Sequence, residues 1–231
     1  HTHLFPPSHG DLLLWNVDEV LTYHYLVAEL FTVAPKALTP DAFWKMSKRQ
    51  QADLVWEHVF LKHGALSEAA RGVVTTLNRL GLDVAGRDLK GIRKWFDQQD
   101  AETYLRKVFE LAGLDYAVMT NDPFVPAEVE QWDAGKLAPD CLKTALRIDP
   151  VIVNWPAAVE TMKEADYDVG ELNGHTFDEA RRFLTDWADR MKPVYMAASL
   201  PPDFHYPGDD AMATAVKNVI LPVARDLGLP V

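Results

Sequence analysis

The sequence is 231 residues long, 48% hydrophobic and 25% charged, a composition that is typical of a folded globular protein and excludes a disordered chain. Its 34 acidic residues outnumber 23 basic ones, and the net charge of -11 excludes a broad binding surface for nucleic acid or an anionic membrane. The single cysteine, Cys141, rules out an internal disulfide, and the sequence contains no signal peptide and no apolar run of transmembrane length. These features predict a cytoplasmic protein in which an anionic ligand is met by a local arginine or metal ion.

The chain opens on His1-Thr2-His3. If these residues end a β-strand, the period of two places both imidazoles on one face, where they can bind one divalent cation. The alternative is a chance pair or a cloning remnant, against which the apolar Leu4-Phe5 counts. Imidazole suits zinc, iron, nickel or manganese, and because two ligands are too few, a third is expected from a carboxylate or histidine elsewhere. The hypothesis is a site for one divalent metal ion, with zinc favoured, held by His1 and His3.

Residues 6–113 are predicted to form a helical insertion domain. Apolar spacing predicts a helix over residues 11–31, and further helices follow. Most of these are marked by a capping residue at the start or a glycine at the end. The predicted helix starts are at Thr39, Ser67 and Asp100, and the predicted ends are at Gly81 and Gly113.

Two polar motifs lie in this helical domain. His24 and Tyr25 are adjacent on a predicted helix and are expected to point in different directions; a packed Tyr25 beside a surface His24 is the alternative to a functional pair. Trp56-Glu57-His58 lies on an amphipathic helix and is by itself expected to be structural.

From residue 114 the pattern changes to alternating strands and helices. Short apolar runs bounded by turn residues predict strands over residues 116–120, 141–148 and 193–198, and another that starts at Gly228. This alternation is typical of a parallel α/β fold. Because polar clusters directly follow the strands, we predict a (β/α)8 TIM barrel.

Only about the first half of this barrel is expected in the chain. Residues 1–5 and 114–231 are assigned to the barrel and supply about four strands and the start of a fifth, whereas a complete barrel needs roughly 250 residues or more. The first residue is not Met and the last three begin an apolar run, so we expect the chain to be truncated at both ends. Within this part, Thr176 and Glu179 have the spacing of a capping box that opens a helix.

Polar residues follow two of the predicted strands. Asn121 and Asp122 are candidates to hydrogen-bond a polyol or a metal-bound water, with a plain turn as the alternative. Arg147 and Asp149 lie on one face of the next strand; Arg147 is a candidate to bind the carboxylate of an acid sugar or acyl substrate, which Asp149 would orient. An ion pair at the barrel rim is the alternative. The third predicted strand ends without Lys, Glu or His, which favours one metal ion over two.

In their order along the chain, these motifs resemble those of the uronate isomerase (glucuronate isomerase) family, a divergent branch of the amidohydrolase superfamily. The family patterns are His-x-His-Leu, a His-Tyr pair, Trp-x-His, Thr-Thr-Asp-Asp-Pro and Arg-Pro-Asp. The matching segments are His1-Thr2-His3-Leu4, His24-Tyr25, Trp56-Glu57-His58, Thr120-Asn121-Asp122-Pro123 and Arg147-Ile148-Asp149. Asn121 and Ile148 depart from the usual Asp and Pro, and the segment after Leu4 is not the common form, which indicates a divergent subgroup and leaves its substrate open.

The resemblance implies a cytoplasmic aldose–ketose isomerase of sugar-acid catabolism, which interconverts D-glucuronate with D-fructuronate, or D-galacturonate with D-tagaturonate, through an enediol. It implies that His1 and His3 hold the metal ion with a further Asp beyond residue 231. It also implies that His24 and Tyr25 act near the reacting carbons, and that Arg147 binds the carboxylate.

Two other functions stay open at this point: a mononuclear hydrolase of the same superfamily, and a helical interaction module on an inactive barrel. The partner expected for an enzyme is a small sugar acid, with a homo-oligomer also considered.

Overall fold

A computed structural model of the chain describes residues 1–136 and 138–231, with the side chain of Asp11 outside the description. The chain divides into two compact units, which we call the helical unit (residues 14–113) and the sheet unit (residues 1–13 and 114–231). The predicted boundary after residue 5 differs from this division. Residues 6–13 lie with the sheet unit because a 3-10 helix over Pro7–Leu12 packs against helix α8 (Pro126–Asp133).

The helical unit is built around a core of buried apolar side chains that includes Leu30, Phe43, Val55 and Leu77. Its helices are α1 Val17–Leu21, α2 His24–Val33, α3 Pro40–Trp44, α4 Lys48–Val55, a π-helix over Trp56–Lys62, α5 Glu68–Arg79, α6 Leu89–Asp97 and α7 Ala101–Ala112.

The helix starts predicted in this unit are confirmed. The side chains of Thr39, Ser67 and Asp100 each accept a hydrogen bond from the backbone three residues further on, which satisfies one of the free N–H groups of the first turn. α7 ends at Gly113, whose φ of 65° is the left-handed conformation that glycine adopts without strain.

The single helix predicted over residues 11–31 is wrong. Asn16 has a φ of 81° and starts α1 anew, because its side chain accepts a hydrogen bond from the Asp18 amide over 2.7 Å. α1 then stops at Thr22, whose hydroxyl donates back to the Asp18 carbonyl, and α2 begins at His24. The apolar spacing predicted one continuous helix. Hydrogen bonds from side chains to nearby backbone groups divide it into two.

One partly buried arginine joins three helices of this unit. The Nε of Arg93 on α6 donates to Asp18 on α1 over 2.8 Å, and its Nη1 lies 2.7 Å from Asp53 on α4. Its Nη2 donates to the carbonyl of Arg49, also on α4. The planar guanidinium has five donors and can hold several acceptors at once, which fixes these helices around the core.

The sheet unit contains a parallel sheet of β1 (Ala117–Asn121), β2 (Leu142–Arg147) and β3 (Met196–Ala197), in that order. The predicted strands over 116–120 and 141–148 are confirmed to within a residue at each end. The predicted strand over 193–198 is reduced to two residues. Alternation of parallel strands with helices confirms an α/β arrangement.

Extended segments flank this sheet on both sides. Beside β1, the amide of Thr2 donates to the Val118 carbonyl over 2.6 Å, and Thr2 pairs with Met119 in an isolated parallel bridge rather than in a full strand. Beside β3, the Met196 amide donates to the Pro230 carbonyl over 2.8 Å. The strand predicted to start at Gly228 is wrong, since Gly228 ends the helix over Leu221–Leu227 and no ladder follows it in the described residues.

Helices cover the sheet and form a second core, in which Leu146, Ile148, Phe183 and Met196 are buried. They are α8, α9 Asp149–Val153, α10 Trp155–Glu164, α11 His175–Met191, α12 Ala211–Ala215, a π-helix over Val216–Ile220 and α13 Leu221–Leu227.

The capping box predicted at Thr176 is wrong. α11 begins one residue earlier, at His175, and Thr176 is buried inside its first turn. The Thr176 hydroxyl accepts from the Gly170 amide, and the Glu179 carboxylate accepts from the Asp168 amide, each over 3.0 Å. Both side chains therefore stabilise the loop before the helix.

None of the helices in the described part of the chain combines the length and the apolar character needed to cross a membrane.

Candidate functional site

The carboxyl ends of β1 and β2 lie side by side and carry the polar residues singled out from the sequence. β1 and β2 pair in parallel up to Asn121 opposite Leu146. Asp122 therefore follows β1 at the same edge of the sheet at which Arg147 ends β2. This is the edge at which parallel α/β folds place their sites.

The turn after β1 is held by a carboxylate that the sequence did not single out. Glu128, in the first turn of α8, is only 5% exposed, and its Oε2 accepts hydrogen bonds from the Asp122 amide over 3.1 Å and from the Asn121 side chain over 3.4 Å. Asn121 is fully buried, and its Oδ1 has no hydrogen-bond partner in the described structure. The Asn121 amide thus lies inside the turn and faces Glu128.

Burial dominates the ionisation of the two acids at this turn. It raises the pKa of Glu128 to about 7, against the lowering effect of the hydrogen bonds from Asp122 and Asn121. Burial also raises the pKa of Asp122, whose Oδ1 accepts from the Phe124 amide over 2.9 Å. The charge of Arg147 lowers both pKa values but does not offset the loss of hydration.

Arg147 and Asp149 form an ion pair on one face, as their spacing predicted. The Nε of Arg147 donates to Oδ2 of Asp149 over 2.6 Å, and the other carboxylate oxygen accepts from the Ser199 amide, which follows β3, over 2.7 Å. Burial acts to raise the pKa of Asp149, but these two hydrogen bonds outweigh it and hold the pKa below its usual value. In the described residues the terminal nitrogens of Arg147 have no hydrogen-bond partner, and its side chain is 28% exposed.

His1 and His3 lie on the extended segment that pairs with β1 through Thr2. Both are exposed, and their ring centroids are 5.2 Å apart. Two imidazoles that bind one cation through nitrogens at about 2 Å place their ring centroids about 5 Å apart. The separation of the two rings is the one that a shared cation requires. The described residues contain no group of three or more His, Cys, Asp or Glu side chains that could hold a metal ion.

His9 is a buried residue of the sheet unit that was not singled out from the sequence. It is 0% exposed, it stacks on Phe5 at 6.1 Å between ring centroids, and it meets the edge of Trp132 at 5.5 Å. Neither ring nitrogen of His9 forms a hydrogen bond of good geometry with a described group, and neither does the Trp132 indole nitrogen; the backbone of Lys136 still interacts with the His9 ring and favours its charged form. Burial lowers the pKa of His9, because it disfavours the charged form of the imidazole.

The remaining predicted residues lie in the helical unit. Tyr23, His24 and Tyr25 form an exposed aromatic cluster at the start of α2, with the His24 ring centroid 4.2 Å from that of each tyrosine. The prediction that His24 and Tyr25 point in different directions is therefore wrong, because they occupy the first turn and fold their rings together. Tyr25 is 62% exposed and is not packed, while His58 is buried, as expected of a structural residue.

The chain is similar to two solved structures. It is 44% identical to a uronate isomerase from Bacillus halodurans C-125, with a TM-score of 0.95 over 100% of this chain and 54% of that one. It is 17% identical to a glucuronate isomerase from Caulobacter crescentus, with a TM-score of 0.58 over 100% of this chain and 56% of that one, a likeness that shows the fold alone. The chain thus spans about half the length of each. No protein-family model matches it, and no curated protein does.

Proposed function

This chain belongs to the uronate isomerase family, and from that premise we propose that it forms part of an aldose–ketose isomerase acting on a sugar acid. The reaction interconverts an aldohexuronate, D-glucuronate or D-galacturonate, with the corresponding 2-keto acid. One observation carries the proposal: Arg147, whose terminal nitrogens have no partner among the described residues, ends β2, and the segment that contains His1 and His3 pairs in parallel with the neighbouring strand β1. An anion binder beside a pair of metal-ligand side chains suits a substrate that has both a carboxylate and reacting oxygens.

The sheet is proposed to be one part of a (β/α)8 barrel. The strand order β1-β2-β3 follows the chain order, and the Thr2 and Pro230 backbones continue the hydrogen bonding on the two sides. Sequential parallel strands joined by helices are the repeating element of such a barrel.

Arg147 is assigned to the substrate carboxylate. Its Nε is engaged by Asp149, which leaves the two terminal NH2 groups to donate to the carboxylate. Asp149 in turn is fixed by the Ser199 amide, so the guanidinium plane is oriented before the substrate arrives. Pre-orientation lowers the entropy cost of binding.

His1 and His3 are assigned to one divalent metal ion, with zinc favoured. Such an ion, when bound, supplies charge that stabilises an oxyanion. This chain's contribution is to hold the two imidazoles on one face by the Thr2 backbone bond to Val118. The roles of His24 and Tyr25 in proton transfer, and of Asp122 in substrate binding, stay predictions, as does the cytoplasmic location.

The test is turnover by the full-length protein, reconstituted with zinc and offered D-glucuronate and D-galacturonate. Proton NMR in D2O follows the formation of the 2-keto acid and solvent exchange at C2. We expect conversion of at least one uronate. We also expect His3→Ala to lose bound metal, measured by elemental analysis, together with activity, whereas the exposed His205→Ala keeps both. Metal-loaded protein that converts neither uronate would contradict the isomerase and favour the hydrolase.

A further inference from the structure

The buried carboxylate of Glu128 has no role in the function proposed so far. It lies at the third position of α8, where a glutamate usually accepts a hydrogen bond from the backbone at the start of its own helix. Glu128 instead extends past that point to the strand end, where its Oε2 accepts from the Asp122 amide and the Asn121 side chain. A helix side chain thus determines the conformation of the turn that follows β1.

Three hydrogen bonds hold this turn. The Asp122 amide is bound by Glu128, and the Asp122 carboxylate is bound by the Phe124 amide. The Asn121 side chain contributes a donor; a carboxylate at that position would face Glu128 at a similar distance and repel it. Glu128 therefore fixes the backbone of Asp122, and the Phe124 amide fixes its carboxylate.

Asp122 and Glu128 both act on Arg147. The charges of Asp149, Asp122 and Glu128 all favour the positive charge of the guanidinium, and a substrate carboxylate must compete with them. The strength of this competition depends on the separation between Asp122 and Arg147, because Coulomb energies vary inversely with distance. A turn that moved toward β2 would weaken binding of an anion at Arg147.

We propose that Glu128 is a positioning residue, which fixes the Asn121–Asp122 turn relative to Arg147 and so sets the affinity of Arg147 for the substrate carboxylate. The proposal rests on the proposed function, since it takes Arg147 as the carboxylate binder. It assigns Glu128 no contact with the substrate.

The test uses two substitutions that separate position from charge. Glu128→Asp keeps the ionisable group but withdraws it by one methylene from the turn, whereas Glu128→Gln keeps the length and the accepting oxygen. Glu130, exposed on the same helix, provides the matched controls Glu130→Asp and Glu130→Gln. The readouts are kcat and KM for the uronate that the full-length, metal-reconstituted protein converts, and the hydrogen exchange rate of the Asp122 amide.

We expect Glu128→Asp to raise KM about tenfold, which corresponds to about 1.4 kcal/mol of binding, while kcat changes by less than about threefold. Exchange of the Asp122 amide should accelerate in the same variant. Glu128→Gln and both Glu130 variants should keep KM within about twofold. A normal KM in Glu128→Asp would overturn the proposal, and so would an equal rise in Glu128→Gln, because charge would then matter in place of position.

The failure of the proposed function is distinguishable from the failure of this inference. If the wild-type protein converts no uronate, the isomerase assignment fails on its own. Amide exchange still decides whether Glu128 holds the turn: unchanged exchange at Asp122 in Glu128→Asp would refute the positioning role without any activity measurement.

Discussion

Asp149 joins the ends of two neighbouring strands, with one carboxylate oxygen on Arg147 of β2 at 2.6 Å and the other on the Ser199 amide after β3 at 2.7 Å. A single short side chain therefore fixes both the arginine that is assigned to the substrate and the start of the next loop. Substitution of Asp149 would disturb two loops at once, so Arg147 itself is the cleaner position at which to test carboxylate binding.

Replacing Arg147 by Lys should raise KM for the uronate by about 10- to 100-fold in the full-length enzyme. Lysine keeps the charge but cannot bind Asp149 and a carboxylate with one planar group. Steady-state kinetics measures the effect, and Arg182→Lys, at an exposed pair with Glu179, is the control. An unchanged KM in Arg147→Lys would remove Arg147 from the substrate site.

Glu128 should make the protein less stable as pH rises toward neutrality. Its pKa is about 7 when folded and near the ordinary value of 4.5 when unfolded, so the folded state binds more protons between these values. The free energy of unfolding should fall by as much as about 3 kcal/mol between pH 4.5 and 7 from this group. Urea unfolding across that range measures the slope, which Glu128→Gln should flatten; an identical slope in that variant contradicts the prediction.

His9 should have the opposite dependence at acidic pH. Burial lowers its pKa from 6.5 in the folded state. Below pH 6.5 the unfolded state therefore binds more protons at His9 than the folded state does, and the free energy of unfolding falls as pH falls. His9→Phe preserves the ring between Phe5 and Trp132 and should reduce the acid sensitivity seen in thermal unfolding at pH 5.5 against pH 7.5. The exposed His205→Phe serves as the comparison. Equal acid sensitivity in His9→Phe and wild type would show that His9 is not the group responsible.

Thr144 should contribute to stability through one buried hydrogen bond. Its hydroxyl, in the middle of β2, donates over 2.8 Å to the carbonyl of Met191, the last residue of α11. Thr144→Val keeps the shape but leaves that carbonyl without this donor, at a cost of about 1–3 kcal/mol in the free energy of unfolding. Thr185→Val, which removes a bond within a single helix, is expected to cost less when both are measured by urea unfolding.

The strand ends could be predicted from sequence because their signals are local. Apolar runs that stop at Asn121-Asp122-Pro123 and at Asp149-Pro150 are bounded by residues that build turns, so β1 and β2 were located to within a residue. The pairing of Arg147 with Asp149 follows from the period of two. β3 could not be bounded in this way, since only two of its residues pair with β2.

Glu128 and His9 could not be found because their roles depend on tertiary packing. An acidic residue in the first turn of a helix is ordinary, as it complements the helix dipole, and nothing local distinguishes a buried one. The burial of Glu128 depends on the register of α8 against β1, and that of His9 on Trp132, far away in the sequence. The break between α1 and α2 has a local cause, the hydrogen bond of the Thr22 hydroxyl to the Asp18 carbonyl, but no Gly or Pro marks it in the sequence.

The bridge between Thr2 and Met119 also has a consequence for how the chain folds. Thr2 precedes the helical unit in the sequence and Met119 follows it. In a flexible chain this bridge would therefore close a loop that contains the whole unit. The entropy cost of closure grows with the logarithm of the number of mobile residues, and a folded helical unit removes most of them. The placement of His1 and His3 beside β1 therefore depends on the stability of a unit that contains neither, and removing the Arg93 side chain that joins its helices should weaken the bridge between Thr2 and Met119.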